Sequence, residues 1–226
     1  MKYILSVLFL LINLFSFAQT VEDDFEGNGT ITSWFGDDCG IDISYSNPYK
    51  EDINISNTVL KYSDTGGTYA NVRFDVPINF DLSEKHTFSL KIYVSSNEIT
   101  GSETNQISLK LQDGKLGASW STQSEIIKTI ALNQWQTITF DFKNDAYINL
   151  DPNSIEPTQR TDFNRIVIQV NGENNSSNVT AYIDDFLYDG VLSEDDDSGS
   201  DPVFNNLVWS DEFDGNGAIN SEKWFH

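Results

Sequence analysis

Short runs in which apolar and polar residues alternate constrain this chain more than any other feature. They recur through the middle of the sequence, for example at residues 71–76, 88–94 and 165–170, and clusters of Gly, Asn, Asp and Ser separate them. Side chains alternate between the two faces of a β-strand, so a period of two indicates strands with one buried face. No window shows a convincing helical period. The alternation therefore predicts that residues 21–190 form an all-β fold, an antiparallel β-sandwich of the jelly-roll type.

The same alternation assigns each strand residue either to the core or to the opposite face. The predicted core holds Val72, Phe74, Leu90, Ile92, Leu109, Leu111, Ile166, Ile168 and Val170. The opposite face collects Asn71, Arg73, Lys91, Tyr93, Lys110, Gln112, Gln169 and Asn171. Sugar recognition needs flat aromatic groups and planar polar groups in a groove, and this mixture supplies both. We therefore predict a glycan-binding face, with an ordinary solvated sheet face as the alternative.

Several aromatic residues lie in predicted loops or at strand starts. Trp120, in the sequence GASWST, is placed to add an aromatic wall to the predicted glycan-binding face. Trp34 and Trp135 stand at strand starts, where an indole commonly covers the end of a sandwich, so we predict structural roles for both. Three tyrosines occur in segments rich in Asn, Ser and Gly, where binding loops occur: Tyr45, Tyr49 and Tyr69.

Acidic residues dominate the chain, with 35 Asp and Glu against 13 Lys and Arg and a net charge of -22. This charge argues against nucleic acid and anionic membranes as partners and fits neutral ligands or bound cations. The single Cys39 has no intramolecular partner, so a hydrophobic core or bound ions must stabilise the fold instead of disulfides. We expect a monomer.

The first residues have the pattern of a secretory signal peptide. Residues 1–18 combine an early Lys2, an apolar run and small residues before Gln19. The run is too short for a comfortable transmembrane helix, and no later stretch reaches the required length. We therefore expect a chain that is exported, cleaved before Gln19 and free of any membrane span, either secreted or held at the cell surface.

The composition changes after Gly190. Residues 191–206 are acidic and small and predict a linker. Residues 207–226, LVWSDEFDGNGAINSEKWFH, resemble the opening of family-16 glycoside hydrolases, the laminarinase and lichenase group. Catalysis in that family depends on an E-x-D-x-x-E strand carrying two carboxylates, and these 226 residues contain no such motif. The resemblance implies the truncated start of a second β domain, and we expect the chain alone to be catalytically inactive.

Two short segments of the chain share one sequence pattern. Residues 24–31 read DFEGNGTI, and residues 212–219 read EFDGNGAI. We interpret both as first strands of separate β-sandwiches, in which a Phe turns inward after acidic residues and the backbone then bends on Gly-Asn-Gly.

Residues 21–190 resemble the galactose-binding-like jelly rolls that serve as carbohydrate-binding modules beside such hydrolases. The resemblance rests on the start DDFEG, the strand NQWQTITFDF and the closing AYIDDFLYDG. It implies a secreted polysaccharide-binding module of a family-16-like glycoside hydrolase, an endo-β-1,3-glucanase, with neutral β-glucan as the ligand. The alternative is an adhesion or spacer module without glycan affinity. A lyase or esterase site within the sandwich lacks a nucleophile and base at recognisable spacing.

Carboxylates gather near both ends of the predicted module, at Asp23, Asp24, Glu26, Asp184 and Asp185. Jelly rolls tend to bring the first and last strands side by side, and Ca²⁺ prefers six to eight oxygen ligands. Modules of the resembling kind often hold a structural Ca²⁺ between these two ends, which implies Asp24, Glu26 and Asp185 as its ligands. A solvated acidic edge is the alternative.

Overall fold

Strands are the regular structure throughout the computed structural model, which describes residues 20–193. They are β1 (Val21–Asp23), β2 (Phe35–Asp37), β3 (Gly40–Ser46), β4 (Thr58–Thr65), β5 (Asn71–Asp75), β6 (Asn79–Asp81), β7 (Thr87–Ile99), β8 (Gln106–Gln112), β9 (Ser124–Thr129), β10 (Gln136–Asp141), β11 (Ile148–Asn149), β12 (Arg165–Val170), β13 (Asn178–Tyr188) and β14 (Val191–Ser193). The helical segments of this part are two short 3-10 turns, Ser119–Thr122 and Pro157–Gln159. Neither these nor any other helix described is long and apolar enough to cross a membrane.

Two antiparallel sheets of six strands form the sandwich. Sheet A has the order β10-β7-β13-β4-β3, with β1 paired to β13, and sheet B has the order β11-β9-β8-β12-β5-β2. A small two-stranded sheet joins β6 and β14. The predicted all-β, antiparallel sandwich is confirmed. The predicted signal peptide, most of the predicted linker and the hydrolase-like residues 207–226 lie outside the described residues.

The inner faces of the two sheets enclose one hydrophobic core. All nine predicted core residues are buried in it, as the alternation requires. Aromatic rings fill one end of this core: the Trp34 ring lies 4.7 Å from that of Phe74, 5.5 Å from that of Phe25 and 6.0 Å from that of Phe186. The Trp34 indole N–H donates to the Asp23 carboxylate at 2.8 Å. The predicted structural role of Trp34 is therefore confirmed.

The segment after β1 has the predicted inward phenylalanine. Phe25 is buried and adopts a left-handed φ of 57°, and Gly27 follows with a φ of 89°. The Phe25 amide donates to Asp23 Oδ1 at 2.8 Å, and a Cβ on Gly29 would lie only 2.6 Å from the same oxygen. Glycine is required at such a close approach. The second segment with this sequence pattern, residues 212–219, lies outside the described residues.

The predicted boundary between module and linker at residue 190 is wrong by at least three residues. Strand β14 pairs with β6, and Leu192, which lies opposite Phe80, packs against the main core. Residues 191–193 thus belong to the sandwich, because the apolar side chain of Leu192 packs against its core. The remainder of the predicted linker, residues 194–206, is outside the described part.

A second, smaller apolar cluster lies on the outer face of sheet A. Its buried members are Val59, Tyr93, Trp135 and Tyr182, with Tyr45 and Tyr49 partly buried against them. The Tyr49 and Tyr93 rings stack at 4.0 Å, and the Trp135 indole donates to the Tyr49 carbonyl at 2.6 Å. Trp135 is structural, as predicted, although it covers a sheet face instead of the end of the sandwich. Tyr45 and Tyr49 contribute packing contacts here and do not form an open binding loop.

Replacing Trp135 with phenylalanine is expected to lower the free energy of unfolding by about 1–3 kcal/mol, because the Tyr49 carbonyl loses its donor. Urea denaturation followed by circular dichroism measures the loss. The matched control is Trp120→Phe, since Trp120 is 62% exposed and its replacement should change stability by less than about 0.5 kcal/mol. Equal stability of the two variants would contradict a structural role for Trp135.

Candidate functional site

The outer face of sheet B, called the polar face below, carries most of the predicted glycan-binding residues. Strand register sets them in rows: Val167 of β12 lies between Arg73 of β5 and Lys110 of β8, and Gln169 lies opposite Ser108. The first row extends across all six strands, from Phe35 on β2 to Glu125 on β9 and Ile148 on β11. These outward residues of sheet B therefore form one continuous surface.

Polar residues on this face are unusually inaccessible for the outside of a sandwich. The exposed fractions are 2% for Gln169, 3% for Lys110, 4% for Ser108 and 6% for Gln112. Polar side chains on a solvated sheet face are mostly exposed. Here Glu173, in the turn after β12, contacts Lys110 and covers part of the face. The polar face is therefore the floor of a cleft.

Several buried polar atoms in this cleft have no hydrogen-bond partner among the described residues. They are Asn71 Oδ1, Ser108 Oγ, Gln169 Oε1 and both amide atoms of Asn171. The Gln169 amide nitrogen donates to the Ala70 carbonyl at 3.2 Å, so its orientation is set and the oxygen is the unused end. Leaving a buried polar atom unpaired costs about 1–3 kcal/mol. Each unpaired buried atom in a native structure calls for an explanation, and a polar ligand that completes the surface is one.

An open cavity of about 260 Å³ lies above part of the cleft floor. It is lined by Gln106, Ser108, Glu125, Ile127, Gln169, Gly172, Glu173 and Asn174. Two of the residues with unpaired oxygens, Ser108 and Gln169, belong to this lining. A polar ligand in the cavity can therefore reach atoms that the protein leaves unpaired.

The backbone after β12 places one wall of this cavity. Asn171 and Gly172 both have left-handed φ values, 69° and 79°. Glycine is favoured at position 172 because of this left-handed conformation. This turn directs Glu173 back over β8.

Charged groups on the polar face are paired with one another. Lys110 Nζ contacts Glu173 Oε1 and lies 3.7 Å from Glu125 Oε1. Two other ion pairs flank it: Arg73 Nε lies 2.7 Å from Asp37 Oδ2, and Arg165 binds the Asp75 carboxylate at 2.6 and 2.8 Å. A hydrogen bond from Arg165 to Asp75 raises the pKa of the guanidinium.

Apolar side chains border the cleft at both edges of sheet B. Phe35 is 47% exposed, and the Arg73 guanidinium lies 5.1 Å from the centre of its ring. Toward the other edge Ile127 and Ile148 are exposed. Trp120 lies in the first 3-10 turn, which is tied to the polar face by a 2.8 Å hydrogen bond from Arg165 to Ser119. Flat or apolar sugar faces can contact such borders.

The structure brings together six of the eight predicted glycan-binding residues: Asn71, Arg73, Lys110, Gln112, Gln169 and Asn171. Trp120 is exposed in the turn between β8 and β9. The expectation that Tyr93 and Lys91 share this face is wrong. Both lie on β7 of sheet A, where Tyr93 is 5% exposed in the second apolar cluster. Alternation shows which residues face away from the core, but not on which of the two sheets they lie.

Only Gln169 among the eight cavity-lining residues was predicted; the seven others are Gln106, Ser108, Glu125, Ile127, Gly172, Glu173 and Asn174. The period of two in β8 contained the signal for Ser108, which lies two positions before Lys110. Glu173 lies in the turn after β12, in a run of Asn, Gly and Ser, where nothing in the sequence indicates the direction of a side chain.

The predicted calcium ligands Asp24, Glu26 and Asp185 do not form a group. No three His, Cys, Asp or Glu side chains of residues 20–193 are arranged to hold a metal ion. Glu26 Oε1 accepts the amides of Asn57 and Thr58, and these hydrogen bonds, that from Thr58 above all, lower the pKa of Glu26. Asp185 pairs with Lys91 at 2.5 Å. The calcium site therefore stays a prediction.

The neighbouring Asp184 is fully buried on sheet A. Its carboxylate accepts a hydrogen bond from the Asn54 amide at 2.7 Å, and burial raises the pKa of Asp184 to about 6. Its partner Asn54 is also fully buried, so the pair attaches residues 47–57 to the outer face of this sheet.

Comparisons with solved structures give weak likenesses. A family 11 carbohydrate-binding module from Clostridium thermocellum is 17% identical, with a TM-score of 0.49, covering 77% of this chain and 98% of that one. The C-terminal family 22 carbohydrate-binding module of Clostridium thermocellum Xyn10B is 16% identical, with a TM-score of 0.45, covering 76% and 92%. Both TM-scores are below 0.5, so neither likeness bears on the ligand of this chain.

Comparison with curated proteins finds no match. Comparison with family models is decisive, because the model of the carbohydrate binding domain matches residues 18–151, more than half of the chain. That range contains β5 and β8 of the polar face and the cavity residues Ser108 and Glu125. By this match the chain belongs to the carbohydrate binding domain family.

Proposed function

We propose that this chain binds a neutral polysaccharide in the cleft on the polar face of sheet B. The observation that carries the proposal is the pair of unpaired, buried oxygens of Ser108 and Gln169 at an open cavity. A sugar hydroxyl both donates and accepts, so vicinal hydroxyls can satisfy these oxygens and the Asn171 amide together. The family membership of the chain supports a carbohydrate as the ligand.

The extent of the face supports binding along a chain of sugars instead of at one terminal sugar. Six strands spaced by about 4.8 Å give the polar face a width of about 24 Å. The row from Phe35 to Ile148 runs across the strands, with apolar residues at both ends and Arg73, Val167, Lys110 and Glu125 between them. Several sugar rings of one polymer fit along such a row.

The finer parts of the proposal rest on sequence resemblance. Residues 207–226 resemble the opening of family-16 glycoside hydrolases, so β-1,3-glucan is the ligand we propose, in an exported protein that belongs to a polysaccharide-degrading system. The acidic composition agrees with an uncharged ligand.

Affinity gel electrophoresis of the full chain with laminarin, mixed-linkage β-glucan and xylan tests the function. We expect retardation by the β-glucans that does not depend on salt concentration, since no ionic contact with a neutral ligand is involved. A chain that migrates unchanged in all three gels would instead be an adhesion or spacer module.

Replacing Trp120 with alanine is expected to weaken laminarin binding by more than about 1 kcal/mol, roughly fivefold or more, because an exposed indole bordering the cleft is lost. Titration calorimetry measures the change. The control is Ile55→Ala: Ile55 is 79% exposed and lies in the segment of residues 47–57 attached to sheet A. An equal loss in both variants would argue against a specific wall at Trp120.

A further inference from the structure

We infer that Glu125 and Glu173 are specificity-determining residues that make the cleft reject anionic glycans. The inference rests on the proposed function and concerns the same site. It adds the class of polysaccharide that is excluded, namely polyuronates and sulfated polymers, and the residues that exclude it.

The first step concerns Lys110, the cation at the centre of the polar face. Only 3% of Lys110 is exposed, and both carboxylates near its ammonium group come from the cavity lining, Glu125 at 3.7 Å and Glu173 in direct contact. An anionic sugar could use Lys110 only by displacing a carboxylate that is already in place. It would also approach two like charges, and such a juxtaposition costs several kcal/mol.

The second step concerns the other cations of the face. Arg73 is engaged by Asp37 at 2.7 Å, with Asp75 at 4.0 Å, and Arg165 forms a bidentate pair with Asp75. A bidentate pair with a carboxylate fixes the orientation of a guanidinium and compensates its charge. Neither arginine can therefore compensate an incoming anion without losing a carboxylate partner.

The third step concerns the unpaired atoms that a ligand must satisfy. Three of these five atoms are amide oxygens, which only accept, at Asn71, Gln169 and Asn171; the Ser108 hydroxyl donates as well as accepts, and the Asn171 amide nitrogen donates. A carboxylate or sulfate only accepts hydrogen bonds, whereas a hydroxyl also donates. The lining therefore favours ligands that present hydroxyl groups and opposes those that present acidic groups.

The test compares laminarin with sodium alginate, a polyuronate, at 150 mM salt, where repulsion from distant charges is largely screened. The full-length Glu125→Gln/Glu173→Gln variant is expected to bind alginate at least about tenfold more tightly than wild type, because Lys110 becomes available. The gained binding should weaken with rising salt. Adding Lys110→Gln to this variant should abolish the gain.

A charge-matched control separates the local effect from net charge. Glu22→Gln/Asp42→Asn removes two negative charges from β1 and β3 of sheet A and should gain no alginate binding. This inference alone would be overturned if both double variants gained alginate binding equally. It would also be overturned if the Glu125→Gln/Glu173→Gln variant bound laminarin but gained no alginate binding. A wild-type chain that ignores laminarin and other neutral glycans overturns the proposed function instead. Circular dichroism of each variant confirms that it is folded.

Discussion

The Ser108→Ala/Gln169→Leu variant is expected to bind laminarin at least about thirtyfold more weakly than wild type, a loss of roughly 2 kcal/mol or more. Both side chains line the cavity, and each has a buried oxygen without a protein partner. Without them the hydroxyls of the ligand enter the cavity and remain unpaired. Isothermal titration calorimetry measures the loss directly.

Two controls accompany this prediction. Ser89→Ala/Thr137→Val makes similar changes on the outer face of sheet A, where Thr139 lies opposite Ser89 and Thr137 opposite Lys91, and should leave laminarin binding unchanged. Ser108→Ala alone should maintain or raise the melting temperature while it weakens binding, because it removes an unpaired buried hydroxyl. Weaker binding by the sheet A variant would show that laminarin binds on sheet A and that the polar face of sheet B is not the site. A melting temperature lowered by Ser108→Ala would show that this hydroxyl is structural.

Trp34→Ala is expected to lower the free energy of unfolding by about 3–5 kcal/mol, because the change leaves a cavity within the main core. Trp34 is buried among Phe25, Phe74 and Phe186, and its indole N–H is the partner of the Asp23 carboxylate. Urea denaturation measures the loss, and thermal scanning serves if the variant is too unstable for a full titration.

Trp120→Ala is the matched control for this second prediction. It removes the same side chain from a position that is 62% exposed, so stability should change by less than about 0.5 kcal/mol. The two tryptophans should thus separate stability from binding: Trp34→Ala affects folding, and Trp120→Ala affects laminarin affinity. Similar unfolding free energies for both variants would contradict the assignment of Trp34 to the core.

Residues of the strands show how far the sequence predicts this fold. The alternation in β5, β8 and β12 correctly separated core residues such as Phe74 and Leu109 from outward residues such as Arg73 and Lys110. This succeeds because the two faces of a strand are a local property, repeated every two residues whatever the strand pairs with. The inward Phe25 was also predicted, but residues 24–31 follow β1 instead of forming a strand, and Phe25 has a left-handed φ of 57°.

The amino-acid sequence by itself determined the all-β architecture, the core and the outward polar residues. The tertiary structure alone decided that Tyr93 lies on sheet A while Lys110 lies on sheet B, and that Glu173, 63 residues away in the chain, reaches Lys110. Strand order depends on hydrogen bonds between distant segments, and no local period records it. The cleft needs residues from several strands of sheet B and the turn after β12, so it exists only once that sheet has formed.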